Sequence, residues 1–209
     1  AGEWIEIVDA AGNALTVADP FDFTSRGGRA AADEVGATPF GRPEDLEVAQ
    51  LANGNDAIFM ATTSENIVWT IELNADGNEG VMVSELVNSN VTPSSFSAPV
   101  GSGNPNDSSY GLDDPDNLAI DMGPNGELQV FIIEDENPGD IWMATDADRD
   151  GVAEIVDLFA SLGPFGSEPT GFMVDPRGGF LVAIQHPSSG NDALWSIHKS
   201  AVPVPAAVW

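Results

Sequence analysis

Short apolar runs broken by glycine-containing turns recur along this chain. The first begins at Pro43 (P-E-D-L-E-V-A), turns at Asn53-Gly54 and resumes as A-I-F-M-A-T-T. The second begins at Pro115 (P-D-N-L-A-I-D), turns at Asn125-Gly126 and resumes as L-Q-V-F-I-I-E-D. The third begins at Pro169 (P-T-G-F-M-V-D), turns at residues 177–179 (R-G-G) and resumes as F-L-V-A-I-Q-H-P. Paired runs of this length around such turns read as β-hairpins. A third run follows each hairpin and contains a tryptophan: Trp69, Trp142 and Trp195. The prolines are 72 and 54 residues apart, and the tryptophans 73 and 53. Two independent markers therefore keep the same offsets. A fourth run follows twice, V-M-V-S-E-L-V from Val81 and A-E-I-V-D-L-F from Ala153. Four short antiparallel strands repeated every roughly 50 residues predict β-propeller blades, and hence an all-β fold. A plain β-sandwich is the alternative, but it gives no reason for a proline and a tryptophan to recur in register.

Three units do not make a ring, since propellers typically hold about 4–8 blades. The opening segment G-E-W-I-E-I-V resembles the third or fourth strand of an earlier blade, and the last unit stops after its third strand. Residues 1–200 are therefore expected to supply about three to four blades of a ring completed by upstream sequence or a second chain. Residues 201–209 (A-V-P-V-P-A-A-V-W) form a proline-rich tail unsuited to a regular strand or helix. Residues 27–38 predict a short helix within an inter-blade loop. Residues 89–117, rich in Ser, Asn, Pro and Gly, predict a long loop of the kind that often carries function.

Composition narrows the partners. The 209 residues include 34 Asp and Glu against 6 Lys and Arg, a formal net charge of -28. At 42 % hydrophobic residues the chain can build a core, which separates it from disordered acidic chains. So negative a surface excludes nucleic acid as a partner and favours cations: Ca²⁺, other hard metals, or a high-salt medium. With no cysteine, disulfides, zinc–thiolate sites, iron–sulfur clusters and thiol nucleophiles are excluded. No run approaches the roughly 18 apolar residues that a transmembrane helix needs.

Polar residues gather at two points of the repeat. Arg42, Glu44 and Asp45, then Asp116 and Asn117, then Glu168 and Thr170 stand at the starts of the first strands. Thr62, Thr63 and Glu65, then Glu134, Asp135 and Glu136, then Gln185 and His186 stand at the ends of the second strands. Antiparallel pairing brings these starts and ends to one face, the mouth of a propeller channel. Carboxylates converging there raise one another's pKa unless a cation joins them. Their hard oxygens suit Ca²⁺ or Mg²⁺ and can hold Fe³⁺. The bland alternative is the solvated surface of a uniformly acidic chain.

A second candidate is Asp146-Ala-Asp148-Arg-Asp150-Gly151, the first half of an EF-hand-type Ca²⁺ loop. Its twelfth position is Asp157 in place of the usual Glu, and an acidic hairpin turn is the competing reading. Asn74, Asp76 and Asn78 form a weaker copy. The hydrolase signatures GxSxG and HExxH and the P-loop are absent. His198 falls in a strand pattern and reads as structural. His186 at the mouth reads equally as a ligand or base and as a structural residue.

Four ordered motifs resemble the PhoX-type alkaline phosphatase family: G-A-T-P-F-G-R-P-E-D-L-E (36–47), D-P-D-N-L-A-I-D (114–121), F-I-I-E-D (131–135) and S-E-P-T-G-F…L-V-A-I-Q-H-P (167–187). The resemblance covers about residues 1–200. It implies a six-bladed propeller, export to the periplasm or cell exterior, and hydrolysis of phosphate monoesters at a calcium and iron cluster in the propeller centre. By position it makes Glu44, Glu134 and Glu168 metal ligands supported by Asn117 and Asp135. It makes Arg42 either a phosphate-holding or a structural residue. The tail resembles the start of a PEP-CTERM sorting signal, which agrees with an exported, cell-surface protein.

Two other readings stand beside a phosphatase. One is a non-catalytic calcium-binding propeller serving surface attachment or assembly. It is favoured by the lack of the cysteine that the family's iron site uses. The other is a gluconolactonase-like hydrolase with one divalent metal, suggested by P-D-N-L-A-I-D…N-G-E-L.

Overall fold

A computed structural model describes residues 1–16, 28–75, 77, 80–88, 112–136, 139–161, 167–176, 178–187, 190 and 192–198. Each sequence repeat forms one antiparallel sheet whose strands follow chain order. The first sheet comprises β1 (Pro43–Gln50), β2 (Asp56–Thr62), β3 (Ile67–Leu73) and β4 (Val81–Asn88). The second comprises β5 (Pro115–Met122), β6 (Leu128–Glu134), β7 (Asp140–Asp146) and β8 (Ile155–Ser161). The third comprises β9 (Glu168–Val174), β10 (Phe180–Gln185) and β11 (Ala193–Ile197). Pro43 and Pro115 are the first residues of their strands, where a missing N–H costs least. One short helix, α1 (Gly28–Glu34), lies within the stretch expected to be helical.

The first strands of successive sheets adjoin, β1 beside β5 and β5 beside β9. The sheets are thus stacked as propeller blades with those strands innermost. The second blade is buried from both sides. Val130 and Ile132 of β6 enter a core with Phe59, Val68 and Leu118 of the first and second blades. Phe131 and Ile133, on the opposite face of β6, enter a core with Phe172 and Phe180 of the third. Rings of Phe131, Phe159, Phe172 and Phe180 interlock there at centroid distances of 4.9 to 6.1 Å. A strand buried on both faces is apolar at nearly every position, which is why β6 reads V-F-I-I without alternation.

Buried polar links fix one blade against the next. Thr63 Oγ1 donates to the Pro115 carbonyl at 3.0 Å, and Thr70 Oγ1 to the Gly151 carbonyl at 2.7 Å. Asp45 Oδ2 accepts the Leu118 N–H at 2.9 Å. The Thr63 and Asp45 links hold the mouth ends of β1 and β5 in a set relation, and the Thr70 link joins β3 to the turn between β7 and β8.

The opening segment differs from expectation. It forms no named strand. Gly2 and Val81 exchange two backbone hydrogen bonds, of 2.7 and 3.0 Å, and Val8 bridges Ala14 across a turn closed by the Asp9 carboxylate. Trp4 remains 64 % exposed. Alternation is present in G-E-W-I-E-I-V, but neither face is buried, so nothing stabilises a longer ladder. The proline-rich tail, residues 89–111 of the expected long loop, and Asp76 and Asn78 lie outside the described residues.

Candidate metal centre

Strand register brings the two polar clusters together. Pro43 pairs with Thr62, Pro115 with Glu134, and Glu168 with Gln185. The start of each inner strand therefore meets the end of its neighbour on one side of the blades. The residues before the first two prolines are held in left-handed backbone: Arg42 at φ 52° and Asp114 at φ 41°. A pre-proline residue prefers extended backbone, so this conformation is strained. In both blades the strained residue's carbonyl accepts one further N–H. Arg42 accepts from Thr63 at 3.1 Å and Asp114 from Asp135 at 2.8 Å. The same device thus turns the chain into the mouth twice. His186 adopts φ 52° just after β10 and is exposed at that rim.

Arg42 ties the mouth across two blades. Its Nε donates to Glu44 Oε1 at 2.9 Å and an Nη to Asp135 Oδ2 at 3.4 Å. Asp116, partly buried between them, has its pKa raised to about 6. Burial is the main cause; the charges of Asp135, Glu44 and Glu168 add to it, and Arg42 opposes it. Asp116 therefore feels the charge of carboxylates from all three blades. Asn117, with its amide oriented to suit its surroundings, donates to Asp116 Oδ2 at 3.2 Å and to the Thr170 carbonyl. Gln185 Nε2 donates to Glu168 Oε1. Asp114 is also pushed upward, by burial first and then by Asp113 and Asp135.

Glu134 occupies a different setting. It is 2 % exposed. Its Oε1 accepts the Asp113 N–H at 2.9 Å and the Trp142 indole N–H at 2.7 Å, and its Oε2 accepts the Asp140 N–H at 3.2 Å. Burial, reinforced by the Asp140 charge and countered by these donors, raises its pKa to about 8. Glu134 lies behind the mouth and braces it, with both oxygens engaged by protein donors. Asp45 likewise turns to backbone, accepting from Leu118 and Leu46.

The Asp146 loop stands at the far end of the second blade, since β6 and β7 run in opposite directions from the mouth. Asp146 is buried and accepts the N–H groups of Asp150 at 3.1 Å and Gly151 at 2.8 Å. Carboxylate oxygens of Asp146, Asp148, Asp150 and Glu154 all lie within 4.8 Å of one another, the one such group among the described residues. Glu154, ninth in the loop, thus joins the three aspartates, and Asp157 does not. The mouth acids are spaced more widely.

Asp116 and Glu154 are the residues that the sequence reading left out of its ligand sets. The signal for Asp116 is its place immediately after Pro115, equivalent to Glu44 after Pro43.

The family profile described as Alkaline phosphatase PhoX matches residues 1–188. The chain therefore belongs to the PhoX alkaline phosphatase family. Among solved structures it is similar to PhoX from Pseudomonas fluorescens, determined in complex with vanadate, a transition state analogue. The TM-score is 0.51 at 18 % identity, over 82 % of this chain and 36 % of that one. This chain thus spans about a third of the length of that structure. An endo-arabinase from Bacteroides thetaiotaomicron matches with a TM-score of 0.44 and 13 % identity, over 75 % of this chain and 55 % of that one. No curated protein matches the chain.

Proposed function

We propose that this chain contributes blades and acidic residues to an exported, metal-dependent phosphatase acting on phosphate monoesters. One observation carries the reading. Glu44, Asp116, Asp135 and Glu168, drawn from three blades, surround one mouth with Arg42 among them. The donor set fits hard cations, because every candidate ligand is an oxygen and Asp116 is raised to about 6 by burial first and then by neighbouring carboxylates whose charge a cation would offset. Ca²⁺ is the ion proposed first, with Fe³⁺ as a second ion of the same centre. Glu44, Asp116, Asp135 and Glu168 would hold the metal, Asn117 would orient Asp116, and Glu134 would support Asp135 from behind. When bound, the metal would offset phosphate charge and make water more acidic.

The reaction forms one bond from a water oxygen to phosphorus and breaks the bond from phosphorus to the alcohol oxygen. The alcohol leaves with a proton, and inorganic phosphate remains. Arg42 uses Nε and one Nη on carboxylates, and its guanidinium has further N–H donors for phosphate oxygens. His186, exposed at the rim, would contact the substrate. Family membership supports export to the periplasm or cell exterior. No helix among the described residues is long and apolar enough to cross a membrane.

A second reading, a non-catalytic calcium-bound propeller, is favoured by the Asp146 loop, whose ligand atoms are clustered away from the mouth. Elemental analysis paired with a 4-nitrophenyl phosphate assay separates the two. Metal bound together with turnover that Glu44→Gln and Asp116→Asn abolish supports the phosphatase. Calcium without turnover, lost on Asp146→Asn and not on Glu44→Gln, supports the structural propeller.

A further inference from the structure

A cavity of about 550 Å³ opens beside the mouth, between α1 and the turn that leads into β1. Its size falls within the range of roughly 300–1,000 Å³ usual for small-molecule sites. Its wall is mainly apolar, with Ala32 of α1, Ala37, Pro39 and Phe40 prominent. Phe40 is held in place by an edge-to-face contact with Trp69, at a centroid distance of 5.8 Å and an interplanar angle of 66°. The Trp69 indole is fixed in turn by hydrogen bonds to Thr62 Oγ1 at 3.1 Å and Glu65 Oε2 at 3.3 Å. A rigid aromatic wall is therefore built into the first blade, and the mechanism proposed above does not use it.

Two features connect the cavity to the chemistry. Arg42 lines it while also binding Glu44 and Asp135 at the mouth, so the two spaces share one side chain. Arg29 lines it as well. Two of the six Lys and Arg residues in a chain of net charge -28 thus border this one cavity. Asp33 is the one acid among its lining residues, so an anionic ester, repelled from most of this surface, meets a lining in which arginines outnumber acids two to one.

We infer that the cavity receives the alcohol portion of the substrate, and that the preferred substrates are phosphate monoesters of aryl or similarly flat apolar alcohols. The phosphoryl group lies at the Arg42 side, and the ring lies against Phe40. This assignment rests on the phosphatase reading and adds to it a preference in the leaving group. An offset or edge contact with Phe40, added to burial of the ring, supplies roughly tenfold in affinity.

The test is calorimetric binding of two non-hydrolysable phosphonates to the calcium-loaded protein. Phenylphosphonate carries the ring and methylphosphonate does not. The expected result is that phenylphosphonate binds about tenfold tighter. Phe40→Ala should bring the two affinities to within about threefold by weakening phenylphosphonate alone. Ala32→Phe, which fills the cavity from α1 and leaves the Phe40–Trp69 contact in place, should do the same. Equal binding of both phosphonates to the unaltered protein overturns the cavity assignment and leaves the phosphatase reading standing. A tenfold preference that survives both substitutions also overturns it. Failure of both phosphonates to bind overturns the phosphatase reading, and the cavity assignment falls with it.

Discussion

Asp116 and Glu134 are both pushed upward chiefly by burial, but what surrounds each differs, and that difference separates their roles. Asp116 rises to about 6 through burial and the charges of Asp135, Glu44 and Glu168, a penalty that a cation removes. Glu134 rises to about 8 chiefly through burial, although three N–H donors favour its charged form. Both folded values lie above the unfolded ones, so the native state binds more protons and stability falls as pH rises. For Glu134 the loss runs from its unfolded value of 4.5 up to about 8. Denaturant unfolding in chelator should therefore show stability declining over that window. Glu134→Gln should flatten the slope. It should also destabilise the protein at pH 5 by about 1–3 kcal/mol, because one amide hydrogen-bonding group then opposes a donor. Trp142 donates directly to Glu134 at 2.7 Å, so tryptophan emission should shift near pH 8 in the unaltered protein and not in the variant. A flat stability profile in both proteins would contradict a buried, titrating Glu134. Sequence alone placed Glu134 at the mouth because its strand position is right. It could not show that Asp113, Asp140 and Trp142 reach its oxygens, since those contacts depend on how the turn between β6 and β7 closes.

At the scale of elements, the repeated proline and tryptophan were legible because each has a local job. Proline opens the inner strand in the first two blades, where no ladder N–H is needed, and stands second in the third. Tryptophan reaches back to the last residue of the second strand, Trp69 to Thr62 and Trp142 to Glu134. Those offsets depend only on strand length and turn, so they survive in the sequence. The contacts between blades leave a weaker trace. Thr70 and Gly151 are 81 residues apart, yet Thr70 Oγ1 donates to the Gly151 carbonyl. Gly151 sits at φ 91°, and a Cβ there would come within 2.7 Å of Thr70 Cγ2. Gly151→Ala should therefore combine backbone strain with steric displacement and cost at least about 1–3 kcal/mol. Thr70→Val should cost about 1–3 kcal/mol by leaving the buried carbonyl without its donor. Because both changes break one contact, the double variant should be less destabilised than the two single effects added together. Full additivity in chemical denaturation would show that the contact does not couple the blades.

At the scale of the whole molecule, charge governs how these sites respond to solution conditions. A net charge of -28 destabilises the compact state by self-repulsion, and salt screens it over a Debye length of about 10 Å at 0.1 M ionic strength. Sodium chloride should therefore raise the melting temperature gradually and without saturation at a site. Calcium should do more than screen. Oxygens of Asp146, Asp148, Asp150 and Glu154 already lie within 4.8 Å of one another, and three further acids of the mouth act on Asp116. A cation bound in the folded state and not in the unfolded chain stabilises by mass action, by about 2.7 kcal/mol at a hundred times its dissociation constant. Millimolar CaCl₂ should thus raise the melting temperature above that of an NaCl control of equal ionic strength, with a saturable dose curve that chelator reverses. Asp148→Asn with Asp150→Asn should remove the part due to the loop, and Glu44→Gln with Asp116→Asn the part due to the mouth. If calcium and ionic-strength-matched sodium give the same curve, neither cluster binds the ion, and the acids act only as a solvated surface. If only the loop pair matters, calcium holds the blade turn and the mouth awaits a different metal.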